Sequence, residues 1–264
     1  MLTRSPLCRS SKAVVAFLTA SSALAAAQAR QSAPVAAFAS AQEALGGTHV
    51  TGVKSLLLQG ESQSLNLANS QMSSPRLLEI RVLLPDHYLR IERTETTERR
   101  SGFSGETVLN AIKPLKPDVN VSGSWGPEQI KTERYTIARL LLGVLARSDM
   151  LQGLRPASAS GNTITFEAPD GFAAILELDA ATRVPVRLRY RSFVRFPPPA
   201  GQPIMGPPPG TDADVTVVFG ERRAVAGVLL PHRITTTAKE FTLSDLRFHK
   251  IIVNPSFTRA DFTK

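Results

Sequence analysis

Four histidines, His49, His87, His232 and His249, are the first candidates for metal or acid–base chemistry. None has a second His or a Cys three or four residues away, the spacing a zinc site uses. His87 follows Asp86, but neighbours along a strand point to opposite faces, so the two are not expected to meet. All four read as surface or turn residues, and no metal is expected. The carboxylate pairs Glu92/Glu95 and Glu221/Asp245 lack the surroundings that would raise a pKa toward general-acid use. No G-x-S-x-G elbow occurs. The single cysteine, Cys8, precedes the first apolar run, so it cannot carry lipid at a cleavage site downstream of that run. The rest of the chain offers neither a thiol nor a disulfide. An enzyme is therefore not expected, although a hydrolase with an unrecognised site stays open as an alternative.

Gly46-Gly47, in "QEALGGTHVTGVKSLLLQGES", could suggest a phosphate loop. Such a loop runs strand, glycines, helix, so that the helix N-terminus faces the anion. Here the order is helix, glycines, strand, and neither G-x-G-x-x-G nor a Lys-Ser/Thr signature is present. No nucleotide and no cofactor is expected. The formal net charge is +9, which could point to nucleic acid. However, no block of five like charges occurs. One Trp and scattered Phe make no base-stacking platform, so nucleic acid is not an expected partner. Arg187, Arg189 and Arg191 alternate on one strand face. They form either a cationic stripe for a membrane surface or the solvated side of a sheet.

Part of the charge sits in a segment expected to be removed. Residues 1–12 carry Arg4, Arg9 and Lys12 with no acid, "AVVAFLTASSALAAA" follows, and Ala27-Gln28-Ala29 closes the stretch. These are the three parts of a secretory signal peptide. Its apolar run is shorter than the roughly 20 residues that span a bilayer. Cleavage would lower the charge from +9 to +6 and place the chain in the periplasm or outside the cell. A retained N-terminal anchor is the rival. Residues 30–264 are then one domain.

The elements that would position any site are mostly strands. "PVAAFASAQEAL" reads as a helix with Pro34 in its first turn and a left-handed glycine cap at Gly46-Gly47. Beyond it the glycines turn the chain into a first strand from Val53. "LLEIRVLLP", "HYLRIERTET" and "GETVLNAI" complete a meander with turns too short for parallel crossovers. "EQIKTERYTIARLLLGVLARSD" has Ile130, Ile137, Leu141, Val144 and Leu145 at helical spacing. Six more strands follow, with Asp170-Gly171 as a hairpin signal. Residues 196–212 hold seven prolines and cannot join a ladder. They read as a solvated loop, of function or disorder. The expected fold is mainly β (α+β). It is a curled antiparallel half-barrel of about ten or eleven strands with two helices over the concave face.

The sheet has much apolar area. Leu56 and Leu58, Val82 and Leu84, Leu89 and Ile91 supply it from the first half. Ile164, Phe166, Ile175, Leu176, Leu178, Leu188, Val217 and Phe219 supply it from the second. In a closed core these are only packing; in a half-barrel stoppered by a helix they line a greasy pocket.

The order of elements resembles a known family. The signal peptide, "AQEALGG", the strand "GVKSLLLQGES" and a run of strands interrupted by helix resemble the LolA/LolB-like lipoprotein-localisation superfamily. "GERRAVAGVLLPHRI" is similar in its turn through Gly227 and its Leu230-Pro231 opening. "FTLSDLRFHKIIVNPSFTRADF" is similar in Ile251, Val253, Asn254, Phe257 and Phe262. The proline-rich 196–212 departs from the pattern. The resemblance implies an unclosed barrel around a hydrophobic cavity, with helices as its lid. It also implies a non-catalytic periplasmic carrier of lipid acyl chains or lipoproteins, expected as a monomer. An envelope sensor that uses the sheet to bind a protein partner is the alternative on the same fold.

Overall fold

In the computed structural model, the described residues are 33–117, 128–198 and 210–263. The signal-like segment, Trp125 and most of the proline-rich stretch lie outside them. Helix α1 covers residues 33–45. The Gly46 amide donates to Glu43 O at 3.0 Å and the Gly47 amide to Gln42 O at 3.0 Å. Gly46 takes φ 131° and Gly47 φ 55°, so the glycines do stop the helix as its sequence suggests. They do not lead straight into a strand: a single turn, α2 (Thr48–Thr51), comes first. A Cβ on Gly46 would lie 2.2 Å from Gly227 O, so this corner is wedged against a later hairpin.

Four strands make the first meander with β1 (Ser55–Asn66): β3 (Arg76–Leu83), β4 (His87–Arg93), β5 (Thr97–Ser104) and β6 (Thr107–Pro114). The two-residue β2 (Gln71–Met72) pairs with the end of β1. Helix α3 (Glu128–Leu145) leads to the second meander. This comprises β7 (Arg155–Ser160), β8 (Thr163–Glu167), β9 (Ala173–Leu178), β10 (Pro185–Arg195), β11 (Gly210–Val225), β12 (Val228–Ala238) and β13 (Phe241–Val253). β1 and β13 pair antiparallel and join the meanders into one sheet. Its order is β6-β5-β4-β3-β1-β13-β12-β11-β10-β9-β8-β7, with β6 and β7 as free edges. The sheet is therefore open, mainly β and antiparallel throughout.

There are 13 strands rather than ten or eleven. The additional ones are β2, β5 ("TERRSGFS") and β7 ("RPASAS"). These polar strands lack the apolar alternation by which a strand is recognised; their ladders to β4, β6 and β8 hold them in the sheet instead.

Both helices cover the concave face. Phe38 of α1 meets Phe166 edge-on at 4.9 Å, and Ala41 and Leu45 are fully buried. Ile137, Leu141, Leu142, Val144 and Leu145 of α3 are buried in the same core. A Cβ on Gly143 would lie 1.8 Å from the Phe219 ring, so the absent side chain lets α3 sit directly on β11. The Arg222 guanidinium pins this end, donating to Gly143 O at 2.9 Å and Leu229 O at 3.1 Å. Burial without a carboxylate pushes its pKa down to about 10.

Candidate functional site: a cleft beneath helix α3

Register decides which side chains share a face. Leu56 opposes Val82 and Leu58 opposes Ile80; Val82 in turn opposes Tyr88 and Ile80 opposes Arg90. Tyr88, Arg90 and Glu92 therefore project inward with the apolar residues of β1 and β3. Leu89 and Ile91, expected on the inner face, instead point to the convex side. There they pack with Phe257 and Phe262 of the C-terminal tail. Ile175 also faces outward, opposite Arg189 and Thr165. It adjoins Leu176, and consecutive strand residues cannot share a face.

The remaining expected residues divide into two groups. Leu56, Leu58, Val82, Ile164, Phe166, Leu176, Leu178 and Leu188 are at most 1% exposed and packed in the main core. Leu84 and Ile130 pack at its margin. Ile137, Leu141, Val144 and Leu145 fill the core from α3. Val217 and Phe219 belong to that core as well, but they also line a half-enclosed cleft of about 220 Å³ beneath α3. Its other walls are Ile80, Tyr88, Arg90, Ile234, Thr236, Ser244 and Leu246 from the sheet, Tyr190 from β10, and Thr136, Arg139 and Leu140 from α3.

Most of these wall residues carry no sequence signal beyond strand alternation. Arg90 donates to Glu92 at 2.6 Å, and Ser62 donates to the same carboxylate oxygen at 2.9 Å. Burial alone would raise the Glu92 pKa, but Arg90 and Ser62 outweigh it and hold the carboxyl low. Burial likewise works against the Arg90 charge, and Glu92 restores it. Tyr88, fully buried beside this pair, has its phenol pushed up by burial.

Arg139 is held differently. Its guanidinium lies 3.7 Å from the Tyr190 ring centre, 5.6 Å from Tyr135 and 5.5 Å from Phe172. Its Nε is buried without a hydrogen-bond partner. Burial lowers its pKa, opposed only by the two tyrosines. The N-terminal half of α3 is tied down at the loops. Arg134 donates to Gly105 O at 2.8 Å and to Glu106 at 2.9 Å. Lys131 and Tyr135 both donate to Asp170 O, at 3.0 and 2.9 Å.

The other chemistry-bearing residues behave as scaffold. His87 and His232 are buried rather than at the surface. Asp86 lies in the turn before β4, so strand alternation does not separate it from His87, and its carboxylate reaches the ring at 2.6 Å. The His87 ring packs against Phe262 on the convex side. Burial alone would raise Asp245, but hydrogen bonds from Arg233, Thr235 and Arg247 keep its carboxyl low. Among the described residues no group of three His, Cys, Asp or Glu could hold a metal. No helix among them is long and apolar enough to cross a membrane. Arg187, Arg189 and Arg191 are exposed on the outer face of β10, and Arg187 pairs with Glu177 at 3.1 Å.

No family model matches the chain, and no curated protein matches it. Solved structures do. One is a Vibrio parahaemolyticus domain described as an outer membrane lipoprotein-sorting protein. It is 13% identical, with a TM-score of 0.45 over 86% of this chain and 95% of that one. A DUF1329 family protein from Desulfovibrio piger is 9% identical, with a TM-score of 0.43 over 86% and 95%. The chain is also similar in structure to a LolA superfamily protein from Nitrosomonas europaea, at 11% identity and a TM-score of 0.47 over 85% and 97%.

Proposed function

We propose that the chain is a non-catalytic carrier that takes lipid acyl chains, free or on a lipoprotein, into the cleft beneath α3, in the periplasm or outside the cell. The observation that carries this is the half-enclosed cleft with Val217, Phe219, Ile234, Leu246 and Leu140 in its wall. Each methylene buried there contributes about 0.8 kcal/mol, so binding needs no reactive group. At about 220 Å³ the cleft is smaller than the roughly 300–1,000 Å³ of a drug-sized ligand pocket. A long chain therefore enters only if the cleft widens.

Helix α3 is built for that motion. Its C-terminal half is buried and seated on Phe219 through Gly143. Its N-terminal half is held by the polar ties of Lys131, Arg134 and Tyr135 to loop carbonyls and Glu106. Lifting the N-terminal half costs hydrogen bonds that water replaces and the marginal packing of Ile130 and Tyr135, whereas lifting the other half would open the core.

The test is uptake of a fluorescent fatty acid, with mass spectrometry of any lipid that co-purifies. Leu140→Trp fills the cleft from the helix side and is expected to lower uptake at least tenfold. Overpacking costs about 1–3 kcal/mol of stability, which leaves the circular dichroism of the sheet unchanged. Uptake by the Trp variant equal to that of the parent would remove the cleft from the reading. A purified parent that carries no lipid and takes up none would end it.

A further inference from the structure

Two arginines line the cleft, and they are not equivalent. Arg90 has its charge answered by Glu92 at 2.6 Å. Arg139 forms no ion pair with any described carboxylate. Its surroundings are three aromatic rings, with Tyr190 against the guanidinium at 3.7 Å. Ring faces attract a cation, but more weakly than the desolvation of an unpaired ion opposes it. The cages hold the guanidinium in place without neutralising it. Its Nε is an orphan donor, and Thr136, Thr236 and Ser244 bring further hydroxyls to the same cleft. A purely hydrocarbon guest would bury this cation further and leave its Nε donor unmade.

We infer that the cleft selects a single-chain amphiphile with an anionic headgroup, a carboxylate or a phosphate monoester, and that Arg139 is the residue that pairs with that headgroup. The inference rests on the carrier reading and narrows it. The chain lies along Val217, Phe219 and Leu246, and the anion sits against the caged guanidinium. A charge-assisted hydrogen bond made there is stronger than a neutral one and relieves a cost already present in the free protein.

The experiment compares three ligands of one chain length, decanoate, decyl phosphate and 1-decanol, by isothermal titration calorimetry on the parent, Arg139→Met and Arg139→Lys. A charged hydrogen bond is worth about 1.5–3 kcal/mol, so the parent should bind one or both anions roughly 10- to 100-fold more tightly than decanol. Whichever anion binds tighter identifies the headgroup source. Arg139→Met should erase the anion preference, with decanol then bound as tightly as either anion or more tightly, and Arg139→Lys should restore part of the preference. Should Arg139→Met fail to fold, the parent's preference and the Lys variant decide the matter. Equal binding of all three ligands overturns the headgroup inference and leaves the carrier reading standing. An anion preference that survives in Arg139→Met, or is undiminished in Arg139→Lys, overturns the role of Arg139. If none of the three ligands binds, the carrier reading falls and takes this inference with it.

Discussion

The concave face has two halves built on opposite rules. Beneath α1 and the C-terminal end of α3, Ile164, Phe166, Leu176 and Leu188 are completely buried against helix side chains. Beneath the middle of α3 the same sheet presents Arg90, Tyr88, Tyr190, Thr236 and Ser244 around a space that no described side chain fills. The first half is a core; the second is the cleft. Apolar strand area by itself marks the packed half, because wherever helices can reach it they fill it. The open half is recognised by the polar groups left inside it. Arg90 has a carboxylate, Arg139 has rings, and Tyr88 keeps its proton.

The sharpest way to break this contrast is to cut each half separately. Phe166→Ala removes a ring with no exposed surface that meets Phe38 at 4.9 Å. Phe→Ala in a core costs about 3–5 kcal/mol, so chemical denaturation should show a loss in that range. Fatty-acid affinity per folded molecule should change less than twofold. A drop in affinity as large as that caused by Leu140→Trp would mean that the two halves act as one pocket.

Glu92→Gln attacks the cleft through its charge. The variant keeps a hydrogen-bond acceptor for Ser62 but takes away the nearest counter-charge of Arg90, leaving only the more weakly acting Glu133, so the cleft becomes more positive. The hydrogen bond from Arg90 loses its charge assistance, which makes it roughly half as strong, and urea unfolding would read the loss. Affinity for decanoate should rise while affinity for decanol does not. A fall in decanoate binding would indicate that Glu92 positions Arg90 for the ligand rather than neutralising it.

Much of the architecture could be read in the sequence, because alternation and turn chemistry are local. The meanders, the glycine stop after α1, the long helix and the curled open sheet all follow from residue type and spacing. The polar strands β5 and β7 do not, since only their neighbours' ladders make them strands. The faces of β4 were equally hard to separate. Tyr88, Arg90 and Glu92 alternate with Leu89, Ile91 and Arg93, and both sides contain material fit to bury. A tail more than 160 residues later, carrying Phe257 and Phe262, covers the Leu89/Ile91 side, and no local pattern announces that. Arg139 illustrates the same limit. It is one polar residue on a helix until the fold brings Tyr190 and Phe172 around it.

The smallest expected effect tests whether the halves of α3 move differently. Arg134 and Tyr135 hold the N-terminal half through Gly105 O, Glu106 and Asp170 O. Partly exposed ties of this kind contribute about 0–1 kcal/mol each, so Arg134→Ala combined with Tyr135→Phe should lower stability only slightly. If these ties restrain opening, stopped-flow uptake of a fluorescent fatty acid should become several-fold faster, and release faster by a similar factor, with affinity nearly constant. Gly143→Ala, at the other end, would drive a methyl into the Phe219 ring; it should unseat the helix and cost stability without a selective gain in rate. The pair of variants separates a hinged lid from a helix that merely loosens. The hinge requires speed at the Arg134 end and instability at the Gly143 end. Equal acceleration in both variants would mean that α3 lifts as a whole, and that the boundary between core and cleft is not a hinge.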